Sequence, residues 1–295
     1  MKGLMFAGVI TALATPFHNG DLDEDTLRRH IRFQIRAGVQ GLVPCGTTGE
    51  SPTLTYEEHK RVISIAVEEA RGQVKVLAGA GSNSTREAIE FAEHAARAGA
   101  DGLLAVTPYY NKPTQEGIFQ HYQALARAVD LPIMLYNIPG RCGVNITPDT
   151  MARLAREIPA IVGVKEATGD LNQVIRTLEL CGPDFLVTSG DDGLCLPIWS
   201  VGGGGVISVA SNLIPGPVVT MWRAWEAGQA AETRALFFKM LPLFKALFLE
   251  TNPMPLKAAL NLAGLMGGEM RLPMCQPQAA TLEALKPLLK DWGLL

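Results

Sequence analysis

The sequence predicts an α/β fold built on a single parallel sheet, and three features carry that prediction. Short runs rich in Val, Ile and Leu recur along the chain, a stretch of helical periodicity lies between successive runs, and the runs are nearly uninterrupted by polar residues. Strands buried on both faces read as continuous apolar runs, and a parallel strand needs a helix-sized crossover to bring the chain back. About eight such units in roughly 220 residues match a closed (β/α)8 TIM barrel better than an open doubly wound sheet. The GxGxxG expected after the first strand of a dinucleotide-binding sheet is also missing.

The first run, GVITALATP (8–16), sits inside MKGLMFAGVITALATPF. The lysine, the apolar run and Ala12-Leu13-Ala14 could pass for a secretory leader, but a lone Lys before the run favours a buried strand ending in a turn. GLVPCGTTG (41–49), VKVLAGAG (74–81), GLLAVTP (102–108), PIMLYNIP (132–139), IVGVKEA (161–167), FLVTSGD (185–191) and GVISVA (205–210) complete the strand set. Between them, DEDTLRRHIRFQIRAG and STREAIEFAEHAARAG carry acidic residues early and close on Gly, as capped helices do. From about residue 228 the strand signal stops. AAETRALFFKMLPLFKALFLE, NPMPLKAALNLAGL and TLEALKPLLKDWGLL read as helices with a wide apolar face. The expected organisation is a barrel catalytic domain over 1–227 and a C-terminal helical domain over 228–295.

Hydrophobic residues make up 47% of the 295 and charged residues 19%, enough apolar material for a large core. A net charge of −3 without any Lys/Arg block argues against nucleic acid as a partner. Apolar runs are broken well short of a membrane span. The five cysteines, Cys45, Cys142, Cys181, Cys195 and Cys275, are odd in number and show no CxxC spacing. They read as reduced thiols of a cytoplasmic protein, not as a disulfide framework or a zinc site.

Barrel enzymes keep their chemistry at the carboxyl ends of the strands. Those ends carry Thr15, Thr47-Thr48-Gly49-Glu50, Gly81-Ser82-Asn83, Thr107-Pro108-Tyr109-Tyr110, Tyr136-Asn137, Lys165-Glu166, Gly190-Asp191-Asp192 and Ser208, whereas the opposite ends are mostly Gly, Pro and Val. Alternation puts Ile161, Gly163 and Lys165 on one face, and Pro132, Met134 and Tyr136 on one face of the preceding strand. If that face is the barrel interior, the heads of Lys165 and Tyr136 can meet. Apolar walls favour a neutral, nucleophilic amine able to form a Schiff base with a ketone. The competing reading has Lys165 reaching water and pairing with Glu166 or Asp191.

None of His18, His30, His59, His94 and His121 ends a strand, so neither a zinc-dependent aldolase nor a Ser-His hydrolase can be assembled. Asp191-Asp192 could hold magnesium but lacks supporting carboxylates, and no metal and no cofactor is expected. Proton transfer then falls to Tyr136, Tyr110 or Thr48. The segment CGTTGE (45–50) lacks the Gly-Lys-Ser/Thr of a P-loop. Its backbone N–H groups could form a nest for a small carboxylate, or it is an ordinary strand-to-helix turn. Arg141, on the loop after YNIPG, suits a carboxylate. Gly202–Gly205 enters the last strand and reads as a packed turn.

Together GTTGESPTL, TPYYNKPTQEG, LYNIPGRCGVNI, GVKEATGDL, SGDD, GGGVISV and ETNPMPLKAAL with the later MRLP resemble the pyruvate-dependent class I aldolases of the N-acetylneuraminate lyase superfamily. More narrowly, they resemble its dihydrodipicolinate synthase family, over nearly the whole chain from about residue 7. The resemblance implies a lyase that condenses pyruvate with L-aspartate 4-semialdehyde through a Schiff base on Lys165, the first committed step of lysine biosynthesis through diaminopimelate. It implies a proton relay of Tyr136, Thr48 and Tyr110, with Tyr110 contributed by a neighbouring subunit of a homotetramer. Thr47 and Thr48 would hold the pyruvate carboxylate, Arg141 the carboxylate of the aldehyde substrate, and Gly190 and Ile207 would line the site. Ser51, His59, Asn83, Glu87 and Tyr109 match a regulatory lysine site, although Pro52 and Tyr56 depart from the best-known inhibited pattern, and Cys142 stands where these synthases usually carry Thr. The alternatives are a sister aldolase acting on N-acetylneuraminate or 2-keto-3-deoxy sugar acids, or a keto-acid sensor without catalysis.

Overall fold

The structure, a computed structural model, describes residues 3–295; Met1 and Lys2 of the leader-like stretch lie outside the described residues. Ten strands occur among them: β1 (Gly8–Ala12), β2 (Phe17–His18), β3 (Asp21–Leu22), β4 (Gly41–Val43), β5 (Lys75–Gly79), β6 (Gly102–Val106), β7 (Ile133–Asn137), β8 (Ile161–Glu166), β9 (Leu186–Ser189) and β10 (Gly205–Ser208). Eight of them close into a barrel in the order β1-β10-β9-β8-β7-β6-β5-β4. Every apolar run predicted as a strand contains one of the eight. The predicted runs overshoot at their carboxyl ends, because there the chain leaves the sheet and turns toward the next helix.

The two helices read from acidic starts and closing glycines are capped as their sequences require. Asp23 accepts a hydrogen bond from the Thr26 N–H at the start of helix Glu24–Ala37, and Gly38 ends it in the left-handed conformation at φ 86°. Ser84 and Gly99 do the same for helix Thr85–Ala98. The pair β2 and β3 was not predicted. It is a two-residue antiparallel ribbon around Asn19-Gly20, both at positive φ, and such strands are too short to show any alternation.

The packing divides into two compact units. One holds β5 through β10 with their helices, from Lys75 to Ile207, and the chain up to Gly8. Its strands are buried along nearly their whole length, so their order is set by apolar contact on both faces. Between β7 and β8 the register slips once, so Ile161 stands opposite Ile133 and Gly163 opposite Met134. Ile161 is thereby set against Ile133, not against Pro132 as simple alternation implied. Gly163 and Lys165 keep the expected partners Met134 and Tyr136. A Cβ at Gly163 would lie 2.3 Å from the Leu186 carbonyl oxygen, so glycine is what allows β9 to approach.

The second unit joins Val9–Val74 to Ser208–Leu295. Buried Asn212 donates to the Ala12 carbonyl at 2.8 Å and accepts from the Ala14 N–H at 3.1 Å, fixing the end of β1. The three helices anticipated after residue 228 are Ala230–Ala246, Met254–Leu262 and Ala279–Asp291. The stretch that follows Met254–Leu262 returns to the first part of this unit through Arg271. Its guanidinium grips the Glu58 carboxylate at 2.5 and 2.7 Å and lies 4.2 Å from the centre of the Phe17 ring. The Arg271 hydrogen bond outweighs partial burial and holds the Glu58 carboxyl at about 2, against an ordinary 4.5.

A depressed carboxyl pKa contributes stability that is present above the unfolded-state value and lost as pH falls toward the folded one. Glu58→Gln is therefore expected to be less stable than the parent near neutral pH by about 1–2 kcal/mol after solvent screening. Urea unfolding followed from neutral pH downward should show the gap closing between 4.5 and about 2. A gap that stays constant over that window would mean the ion pair is not its source.

Candidate active site

Lys165 and Tyr136 are the next-to-last residues of adjacent strands in the first unit, directly across from one another in the β7–β8 register. Both are buried, at 6% and 5% exposure, and the Lys165 Nζ lies 4.2 Å from the centre of the Tyr136 ring. Lys165 forms no ion pair among the described residues. On its other side, β9 supplies Thr188 opposite Lys165. Gly190 follows, where a Cβ would lie 3.1 Å from the Lys165 Cε. Glycine at that position leaves room for the amine's stem. The buried Ile207 lies on β10.

Glu166, the neighbour offered as a counter-ion, faces away. Its carboxylate accepts from the Thr168 N–H at 2.9 Å, the Asn137 side-chain amide at 3.2 Å and the Gln173 amide at 3.2 Å. Burial pushes the Glu166 carboxyl pKa upward against the opposing pull of these donors. Asn137 also accepts from the Ile146 N–H at 3.0 Å and donates to the Asn145 side-chain oxygen at 2.7 Å. The same two strands thus present Tyr136 and Lys165 on one face, and on the other a polar cluster that ties down residues 145 and 146. The loop in between carries Arg141, an exposed cation in the single helical turn Pro139–Cys142.

Sequence reading placed Asn137 and Glu166 at the rim but missed Asn145 and Gln173. The signal available was parity: polar residues one step beyond Tyr136 and Lys165 must face the opposite side of the sheet. Thr107 supports this end of β7 too, donating from both its N–H and its hydroxyl to the Tyr136 carbonyl at 3.0 Å.

Thr47 and Thr48 follow β4 in the second unit, Thr48 buried and Thr47 half-buried. The turn 46–50 is closed by Gly49 N–H to Gly46 carbonyl and Glu50 N–H to Thr47 carbonyl bonds, both 3.1 Å. CGTTGE is therefore a turn, and it leaves the two adjacent N–H donors of Thr47 and Thr48 without an acceptor among the described residues. Tyr110 is 88% exposed at φ 70°. Of the residues read as a regulatory site, Asn83, Glu87 and Tyr109 lie in the first unit, where the Glu87 carboxylate accepts from Ser82. Burial, with the Glu87 charge adding to it, raises the Tyr109 phenol pKa. Ser51 and the buried His59 lie in the second unit.

Among the described residues no cluster of three or more His, Cys, Asp or Glu could hold a metal ion, and no helix is long and apolar enough to cross a membrane.

A (β/α)8 barrel with a buried lysine near the carboxyl end of one strand and a tyrosine at the same level of the next is the arrangement of an imine-forming aldolase. The chain belongs to the dihydrodipicolinate synthetase family, whose sequence profile matches residues 5–292. It is 54% identical over 292 residues to the 4-hydroxy-tetrahydrodipicolinate synthase of Nitratidesulfovibrio vulgaris, covering 99% of this chain and 100% of the relative. The fold is that of the 4-hydroxy-tetrahydrodipicolinate synthase structure from Methylacidiphilum fumariolicum, with a TM-score of 0.95 at 48% identity, covering 96% and 95% of the two chains. A synthase from Cyanidioschyzon merolae solved with lysine bound matches with a TM-score of 0.95 at 43% identity over 99% of each chain.

Tyr136→Phe leaves the apolar ring and removes the phenolic proton carrier. Turnover is expected to fall by about 10²-fold or more with the fold intact by circular dichroism. A loss of only a few-fold in steady-state kcat would exclude Tyr136 from proton transfer.

Proposed function

We propose that Lys165 attacks the keto carbon of pyruvate and, with loss of water, forms a protonated imine. The electron sink acidifies the adjacent methyl, which loses a proton to give an enamine. The enamine carbon adds to the aldehyde of L-aspartate 4-semialdehyde, forming the new C–C bond, and the resulting alkoxide takes up a proton. The amine derived from aspartate then attacks the imine carbon and displaces Lys165 as the ring closes to 4-hydroxy-tetrahydrodipicolinate. This is the committed condensation of lysine biosynthesis through diaminopimelate, and it needs no cofactor. The observation that carries this reading is the in-register meeting of Lys165 and Tyr136, with no carboxylate among the described residues paired to the amine.

Tyr136, Thr48 and Tyr110 pass the protons. Tyr110 is supported in that role by its exposure, which suits insertion into a neighbouring subunit of a homotetramer. The open N–H groups of Thr47 and Thr48 receive the pyruvate carboxylate, with Gly190 and Ile207 lining the site. Arg141 receives the carboxylate of the second substrate, a charge-assisted contact for which its place on the loop after β7 is suited. Lysine binds at Ser51, His59, Asn83, Glu87 and Tyr109, a reading supported by the lysine-bound relative and by a carboxylate suited to an ammonium. The five free thiols support a cytoplasmic setting.

Pyruvate with borohydride is expected to add mass to Lys165, and Lys165→Ala should lose both the adduct and turnover. Near-parental rates in that variant would end the mechanism. Arg141→Ala is expected to raise the apparent KM for aspartate semialdehyde by about 10-fold or more, with pyruvate kinetics nearly unchanged. A change confined to pyruvate would give Arg141 a different role.

A further inference from the structure

The polar cluster on the face opposite Tyr136 and Lys165 is a closed circuit that begins and ends on the backbone of Ile146. The Ile146 N–H donates to the Asn137 side-chain oxygen at 3.0 Å, and the Asn137 amide donates to the Asn145 side-chain oxygen at 2.7 Å. The Asn145 amide then donates to the Gln173 side-chain oxygen at 2.8 Å. Gln173 donates back to the Asn145 side-chain oxygen at 3.2 Å and to the Ile146 carbonyl at 3.4 Å. A backbone N–H can only donate and a carbonyl can only accept, so the two ends of the circuit fix the orientation of all three amides. Asn137 and Gln173 also donate to the Glu166 carboxylate, each at 3.2 Å, which ties the circuit to the strand carrying Lys165. A second glutamine grips the same stretch from the start of helix Gln115–Ala128. Gln115 donates to the Asn145 carbonyl at 2.8 Å and accepts from the Thr147 N–H at 3.1 Å.

We propose that Gln173 and Gln115 are positioning residues for the second substrate: between them they fix Asn145, and with it the loop that presents Arg141 to the carboxylate of that substrate. The inference rests on the reading of Arg141 as the receiver of that carboxylate. Arg141 lies on a helical turn closed by the N–H groups of Cys142 and Gly143, which donate to the Ile138 and Pro139 carbonyls at 3.0 and 2.8 Å. Strand β7 leads into this turn, and Val144 alone separates its closing Gly143 from Asn145. Asn137 spans the neck of the loop, and the two glutamines hold the exit stem. With both stems held, the backbone under Arg141 has one setting relative to Glu166, and so to Lys165 beside it. Loss of either glutamine frees the exit stem on one side. A displacement of about 1 Å in a group that orients a substrate is enough to weaken its use of binding energy. The imine-forming pair is spared, because Tyr136 and Lys165 face the other way.

The test is steady-state kinetics of the full-length protein in both substrates, with borohydride trapping of pyruvate on Lys165 as a second readout. Gln173→Leu and Gln115→Leu are each expected to raise the apparent KM for aspartate semialdehyde about five-fold. The KM for pyruvate and the fraction trapped should stay at parental levels, whereas a generally loosened fold would move both substrates together. In an Arg141→Ala background neither substitution should add to the KM, because no cation is left to position. The proposal is overturned by a parental KM for aspartate semialdehyde in either variant, by an equal rise for pyruvate, or by a full five-fold effect on top of Arg141→Ala. Each of these results leaves Arg141 as the carboxylate's partner. A parental KM in Arg141→Ala would instead remove that reading, and the proposal with it. The two glutamines sit on different helices, so either variant carries the test should the other not fold.

Discussion

The pairing of β7 with β8 is the constraint from which the rest of the site follows. Tyr136 faces Lys165 and Asn137 faces Glu166. Because side chains alternate, a slip of one residue would bring the carboxylate round to the tyrosine and turn the amine into the polar layer behind the sheet. The slip does occur once in this pair, near Ile133 and Met134, upstream of the reacting groups. Downstream, the Glu166 carboxylate and the Asn137 amide bond to each other and to Gln173 and Asn145, so the strands are locked together on the face opposite Tyr136 and Lys165. Glu166 is the buried carboxyl that a counter-ion reading of Lys165 would require, and its satisfaction elsewhere leaves the amine without an ion pair.

Much of this was legible in the sequence because it is local. The eight strands announce themselves as apolar runs, and helices such as Glu24–Ala37 and Thr85–Ala98 carry their own start and stop residues. Lys165 stood out because a lysine closing a run of small apolar residues needs a reason. The parts that were not legible join distant residues or involve too few of them. The Asn19-Gly20 ribbon is two residues a side. Gln173 meets Asn145 across 28 positions, and Asn252 meets Thr48 across 204. Amides of this kind have no periodicity and no charge to flag them; only the fold shows whom they address.

The threonine loop illustrates how a closed turn can leave backbone donors unused. Its closing hydrogen bonds use the N–H groups of Gly49 and Glu50. Those of Thr47 and Thr48 have no acceptor among the described residues. Glu50 adopts a left-handed φ of 53°, an uncommon setting for a residue with a side chain. Its carboxylate is spoken for on both oxygens, by Lys257 and by the Arg271 N–H. Contacts made far along the chain thus hold a strained turn from which two adjacent N–H donors point without an acceptor among the described residues.

The two buried lysines of this chain make the functional argument by contrast. Lys257 is surrounded as a structural charge has to be: a carboxylate at 2.6 Å, a carbonyl at 2.9 Å and the face of the Phe17 ring at 4.4 Å. Burial draws its pKa down while Glu50 opposes the shift, and the pair pins two parts of one unit. Lys165 is nearly as buried but has a phenol ring and a glycine for neighbours in place of a carboxylate. A neutral amine is the nucleophile in imine formation, and the protonated imine that follows carries the charge one bond away from where the ammonium had it. A fixed carboxylate partner would favour the ammonium and oppose the first of these states. Leaving Lys165 unpaired while Glu50 is spent on Lys257 and Glu166 on amides is how one fold keeps one lysine structural and the other reactive.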